Sequence, residues 1–146
     1  MRLFIDTEFN GFGGEFLSIG LVSEDGREFY GALKPSGNEG INHWVAENVL
    51  PFLGVPHLSK ADLQDDLQQF LGQFDELVIT SDWPEDHKHF CDLLIVGFGR
   101  MMKTPRLVTM EVDRRLHSGN SKMPHNALAD AHAIRQEWLT LNGSVT

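Results

Sequence analysis

The order of hydrophobic and polar positions divides the chain into a strand-rich beginning and a helix-rich remainder. Leu3-Phe4-Ile5-Asp6-Thr7-Glu8-Phe9 is dense in branched and aromatic residues and reads as a β-strand. Phe16 to Ser23 and Arg27 to Leu33 are two further strand-like runs, joined at Asp25-Gly26. An Asp-Gly step between apolar runs suits a tight turn with positive φ, so a three-strand antiparallel meander is expected.

Helical spacing then takes over. Asn42 is placed to cap a helix from about His43 to Leu50, which Pro51 breaks. Ser59 opens a second helix, with Asp62 three residues on as a variant of the capping box, and Leu63, Leu67, Phe70, Leu71 and Phe74 follow at helical spacing. Leu77 to Thr80 is a short strand, and Pro84 suits the first turn of a helix carrying Phe90, Leu93 and Leu94. Arg106 to Met110 predicts a fifth strand, and Asn126 to Leu141 a closing helix. The expected fold class is therefore α/β: a mixed five-stranded sheet with helices packed on it. No repeat or low-complexity segment appears, so residues 1–146 read as a single domain.

Composition narrows the function classes. At 41% hydrophobic and 23% charged residues, the chain is expected to be globular rather than disordered. Its longest apolar run, Leu93 to Phe98, is far shorter than the ~20 residues a membrane helix needs. Cys91 is the one cysteine, which rules out an intrachain disulfide, and Asp6 interrupts any signal-peptide core near the start. A cytoplasmic protein with no membrane partner is expected.

Charge changes the picture further. The net charge is −9, but residues 1–86 hold four basic and sixteen acidic side chains (−12), whereas residues 87–146 hold eight and five (+3). An acidic chain is a poor generic binder of nucleic acid, because phosphate affinity comes from Lys and Arg. The second half leaves room for a local basic surface, although solvated helix and loop charges are the simpler account of each residue.

Asp6 and Glu8 stand two apart on the first strand, so their carboxylates share a face and repel unless something positive lies between them. His125 precedes the last helix and Asp130 lies inside it, close to its apolar stripe of Leu128, Ala131, Ile134, Trp138 and Leu141. An acid there is costly unless paired or bound to a metal. A helix-capping His125, with Asp130 paired to a nearby Arg or His, is the structural alternative. His87 and Cys91, four apart, invite a zinc reading, but without a second ligand pair incidental polar groups on a helix are the better account. Asn10-Gly11-Phe12-Gly13-Gly14 reads as a turn next to the acidic strand.

Phe4-Ile5-Asp6-Thr7-Glu8-Phe9 followed by Ser18-Ile19-Gly20 resembles the first motif of the DEDDh 3'-5' exonucleases, and His125-x-x-x-x-Asp130 resembles their third. The likeness is strongest to small bacterial 3'-5' exoribonucleases of the ribonuclease AS type, and it extends to Trp44-Val45 and Leu50-Pro51. The middle-motif aspartate is matched best by Asp86, in Asp86-His87-x-x-Phe90-Cys91, with Asp82 as the alternative.

This resemblance implies a ribonuclease H-like fold and two-metal hydrolysis of phosphodiesters. Asp6, Glu8 and Asp130 would hold two divalent ions, Mg²⁺ or Mn²⁺, Asp86 would assist through water, and His125 would be the general base. Thr7, Phe9 and Trp44 are the candidate substrate contacts, the two aromatics by stacking on terminal bases, with a place in the core as the alternative for Phe9 and Trp44. The implied partner is the 3' end of a single-stranded nucleic acid, RNA favoured over DNA, met by a homodimer. An exodeoxyribonuclease with the same site and a non-cleaving binding module are the alternative functions.

Overall fold

The computed structural model describes residues 1–143. The expected meander is present as β1 (Arg2–Phe9), β2 (Phe16–Ser23) and β3 (Glu28–Leu33), with Gly26 at φ +93° in the turn between the last two. Helix α1 (His43–Asn48) starts at Asn42, whose side chain accepts from the Trp44 and Val45 amides, and is followed by a 3-10 turn at Leu50–Phe52. The strand β4 (His57–Leu58) precedes α2 (Lys60–Leu71), which Ser59 caps through the Asp62 amide.

The second half continues with β5 (Glu76–Ser81) and α3 (Pro84–Leu94), then a ribbon of β6 (Ile95–Gly97) and β7 (Arg100–Met101). It ends with β8 (Leu107–Val112) and α4 (Ala127–Leu141), the latter capped by Asn126 through the Ala129 amide.

The main sheet has six strands, not five, in the order β4-β3-β2-β1-β5-β8, and β6 and β7 form a separate pair. The extra strand has only two residues, too few to show any period, and pairs Ala32 with His57 and Leu33 with Leu58. The first three strands are antiparallel, whereas β5 lies parallel to both β1 and β8. The sheet is therefore mixed, as the alternation of elements predicted.

Leu3 and Ile5 face a core shared with α2 and α3, through Leu63, Leu67, Leu71 and Phe90. Phe4 faces the other way, against Leu116, Ile134 and the partly buried Trp138. The even-numbered positions of β1 thus point to the α4 side, and that alternation delivers Asp6 and Glu8 to the first turn of α4. Among the described residues, no helix is long and apolar enough to cross a membrane.

Candidate active site

The parallel pairing of β1 and β5 brings the C-terminal ends of these two interior strands to the same end of the sheet. Asp6 and Glu8 come from β1, and Asp82 follows β5 directly. Asp86 and Asp130 lie in the first turns of α3 and α4. Carboxylates at those positions meet the positive ends of the helix dipoles.

Gly20 explains how close α4 comes. It pairs with Asp6 across β1 and β2, and a Cβ there would lie 2.4 Å from the Ala127 carbonyl carbon and 2.5 Å from the Leu128 Cα. Only a glycine lets the helix start seat against the sheet. His125 has φ +66°, a left-handed conformation uncommon outside glycine but tolerated by histidine, and its amide donates to Asp130 Oδ2 at 3.1 Å. This turn folds the imidazole back over the acids.

Two groups of side chains converge. Asp6, Asp82 and Asp86 each offer an oxygen within 4.8 Å of the others, and Glu8, Asp130 and a ring nitrogen of His125 do the same. Asp82 and Asp86, which the chain presents as alternatives, are both in the cluster. The donor set is almost wholly oxygen, as a hard divalent cation prefers.

Burial and mutual repulsion act on these acids in the same direction. The Asp6 carboxyl is raised well above the usual range by burial first and then by Asp86, Glu8, Asp130 and Asp82. Burial, Asp130 and Asp86 push Glu8 up to about 8. Burial pushes Asp86 up to about 7 although the Thr7 hydroxyl and amide pull it down. Asp130 is raised by burial against the pull of Ser121 and the His125 amide. Asp6 Oδ2, Asp86 Oδ2 and Asp130 Oδ1 are all buried without a hydrogen-bond partner. Buried oxygens of this kind are costly unless a cation or proton reaches them. Divalent ions therefore fit the residues present.

Thr7, expected at the substrate, is 4% exposed, and both its amide and its hydroxyl donate to Asp86 Oδ1. It acts on the site through that carboxylate. Trp44 is half-exposed and packs edge-on against His125, with ring centroids 4.9 Å apart. Phe9 is half-buried against His89 and Phe12, at 5.0 and 6.2 Å. Phe12, 84% exposed, stands 6.0 Å from Trp83, so Phe9, Phe12 and Trp83 form an aromatic row carried by residues next to Glu8 and Asp82.

The sequence offers Phe12 only as part of the glycine-rich turn, and neither Trp83 nor the clasp behind His125 stands out in it. There Asn126 donates to the Tyr30 hydroxyl at 3.1 Å and the Phe52 carbonyl at 2.8 Å. Aromatics in a glycine-rich turn and before a helix-opening proline were the available signal for the first two. The His87 ring meets the Glu111 carbonyl at 2.8 Å, and the Cys91 thiol lies 3.5 Å from the Met110 sulfur, so the two point to different neighbours.

No protein-family model matches the chain. Two relatives do. They are 3'-5' exoribonucleases from two strains of Mycobacterium tuberculosis, each 34% identical in an alignment 151 positions long that covers 90% of this chain and 87% of the relative. At that identity and coverage, the chain belongs to the 3'-5' exoribonuclease family of these mycobacterial proteins.

Proposed function

We propose that the protein is a metal-dependent 3'-5' exoribonuclease of the DEDDh type, with a ribonuclease H-like fold, acting as one exonuclease domain over residues 1–146. One observation carries this reading. Carboxylates from β1, α3 and α4 converge with unpartnered buried oxygens beside His125. The family relationship to 3'-5' exoribonucleases supports it.

Asp6, Glu8 and Asp130 would hold two divalent cations, Mg²⁺ or Mn²⁺, with Asp86 as the fourth acid. Bound there, the cations supply Lewis-acid stabilisation of the attacking and leaving oxygens of an in-line displacement. The chain's own residues do the rest. His125 takes the proton from the attacking water at its free ring nitrogen, and the Asp130 contact to its amide holds the turn that aims the ring. Thr7 fixes Asp86 so that one carboxylate oxygen remains directed at the cluster. Trp44 and Phe9 present aromatic faces for the terminal nucleotides, a sequence-tolerant mode of binding.

Single-stranded RNA is the favoured substrate over DNA, a homodimer the working assembly, and the reducing cytoplasm the setting that a lone cysteine suits. The test is incubation of 5'-end-labelled RNA and DNA oligonucleotides with free 3'-hydroxyls with the protein and Mn²⁺, with EDTA and His125→Ala as controls. A ladder shortening from the 3' end of RNA, lost in both controls, is expected. Intact substrate in all lanes, or cleavage indifferent to EDTA, overturns the proposal. Equal digestion of DNA overturns the RNA preference, since the 2'-hydroxyl is the feature that separates the two.

A further inference from the structure

Asp82 stands outside the four acids assigned above, yet its carboxylate lies within 4.8 Å of the ligand atoms of Asp6 and Asp86. It is held in the short link between the end of β5 at Ser81 and the start of α3 at Pro84. Arg114 is the nearest cation, but its guanidinium donates to the Asp82 backbone carbonyl at 2.5 Å and lies 5.1 Å from the Trp83 ring centroid. Among the described residues, no Lys, Arg or His forms an ion pair with the carboxylates of Asp6, Asp82 or Asp86.

A second observation points inward from the other side of the link. Asp86 is 2% exposed, and its Oδ2 has no partner although Oδ1 receives two hydrogen bonds from Thr7. Asp6 Oδ2 is likewise buried and unpartnered. Three carboxylates at this spacing, two with an orphaned oxygen and none with an ion-paired side chain, are mutually repulsive. Oxygen-rich sites of this kind become favourable when a hard cation bridges them.

We infer that Asp82 is a direct carboxylate ligand, together with Asp6 and Asp86, for one of the two divalent cations, so that the centre is built from five acids rather than four. The inference rests on the metal-dependent reading under Proposed function. Asp82 and Asp86 flank the Trp83-Pro84 step, so the start of α3 grips the cation position from both sides. The added negative charge makes that position fill at lower free metal concentration than Asp6 and Asp86 alone would allow.

Calorimetric titration of EDTA-stripped, dialysed protein with MnCl₂ tests this, using wild type, Asp82→Asn and Asp130→Asn. Two binding events are expected for wild type. Asp82→Asn should weaken one of them by about a hundredfold or more, beyond the roughly tenfold to hundredfold loss typical of a group that only supports a ligand, and leave the other in place. Asp130→Asn should weaken the other event. Because loss of a repelling charge cannot cost metal-free stability, Asp82→Asn and a second variant, Asp82→Ser, should melt in EDTA no lower than wild type. Unchanged titration of Asp82→Asn, or metal-free unfolding of both Asp82 variants, overturns the inference and leaves metal-dependent cleavage standing. No Mn²⁺ binding by wild type overturns both.

Discussion

Thr7 donates twice to the same oxygen of Asp86, from its amide at 3.0 Å and from its hydroxyl at 2.6 Å. The two residues are 79 positions apart, and this contact ties the acidic end of β1 to the first turn of α3. It also decides which Asp86 oxygen is left for the cluster. Thr7→Val keeps the amide bond and the shape but removes the hydroxyl. A lost hydrogen bond to an acid of this kind costs about 1–3 kcal/mol, so a fall in Tm is expected with a parallel loss of kcat. Thr7→Ser should restore both, and normal turnover by Thr7→Val would show that Asp86 needs no such anchor.

His125 is expected to matter for the rate and not for metal loading. General-base removal typically costs ~10²–10⁴ in turnover. His125→Ala should lower kcat on that scale while MnCl₂ titration of the variant still gives wild-type binding. Loss of metal binding in this variant would make His125 a ligand, which its place beside Glu8 and Asp130 allows geometrically.

The acids give metal-free protein an inverted pH dependence. Burial and repulsion raise Glu8 to about 8, Asp86 to about 7 and Asp6 well above its usual value, whereas carboxyls of the unfolded chain titrate near 4. The native state therefore keeps protons that the unfolded state has released. Stability from these groups is fully present below the unfolded values and is lost as pH rises through about 7 to 8. Tm in EDTA should fall between about pH 5 and pH 8, and saturating Mn²⁺ should flatten or reverse the slope by replacing the protons. A Tm in EDTA that rises over this range would contradict the account.

Gly20→Ala tests the seating of α4. The added Cβ would fall 2.4 Å from the Ala127 backbone, so helix or strand must move. Overpacking of this type costs about 1–3 kcal/mol, and here it displaces Asp130 and His125 as well. Both Tm and activity should drop, whereas Gly26→Ala, in open space at the β2–β3 turn, should lower Tm through its positive φ and spare activity.

Trp44→Ala should raise KM for RNA with little change in Tm, because the indole is 51% exposed and rests on His125 rather than in the core. Stacking of a base on an aromatic ring is worth about 1–3 kcal/mol, which corresponds to a KM rise of roughly fivefold to 150-fold. An unchanged KM would remove Trp44 from the substrate path.

Local chemistry was readable wherever a residue's role follows from its neighbours in the chain. The caps at Asn42 and Ser59, the proline opening α3 and the apolar runs of β1, β2 and β3 are of this kind, whereas the last helix is capped by Asn126 and not by His125. So is the placement of Asp6 and Glu8 on one strand face, which needs only the two-residue period of a strand. The sheet was short by one strand because β4 has two residues and pairs through register alone.

Along the chain, Asp82 and Asp86 compete for one role. In space, the Ser81–Pro84 link and the first turn of α3 carry both carboxylates to Asp6. Thr7 is a candidate substrate contact in the sequence, and only the packing of α3 against β1 turns its hydroxyl to Asp86 instead. The same holds for Asn126 with Tyr30, 96 positions apart, and for the close approach of Ala127 to Gly20. Residue types and periods determine which side chains an element offers and on which face. Which of them meet is decided by the crossing of elements distant in sequence, because contact depends on backbone separations that no local pattern encodes.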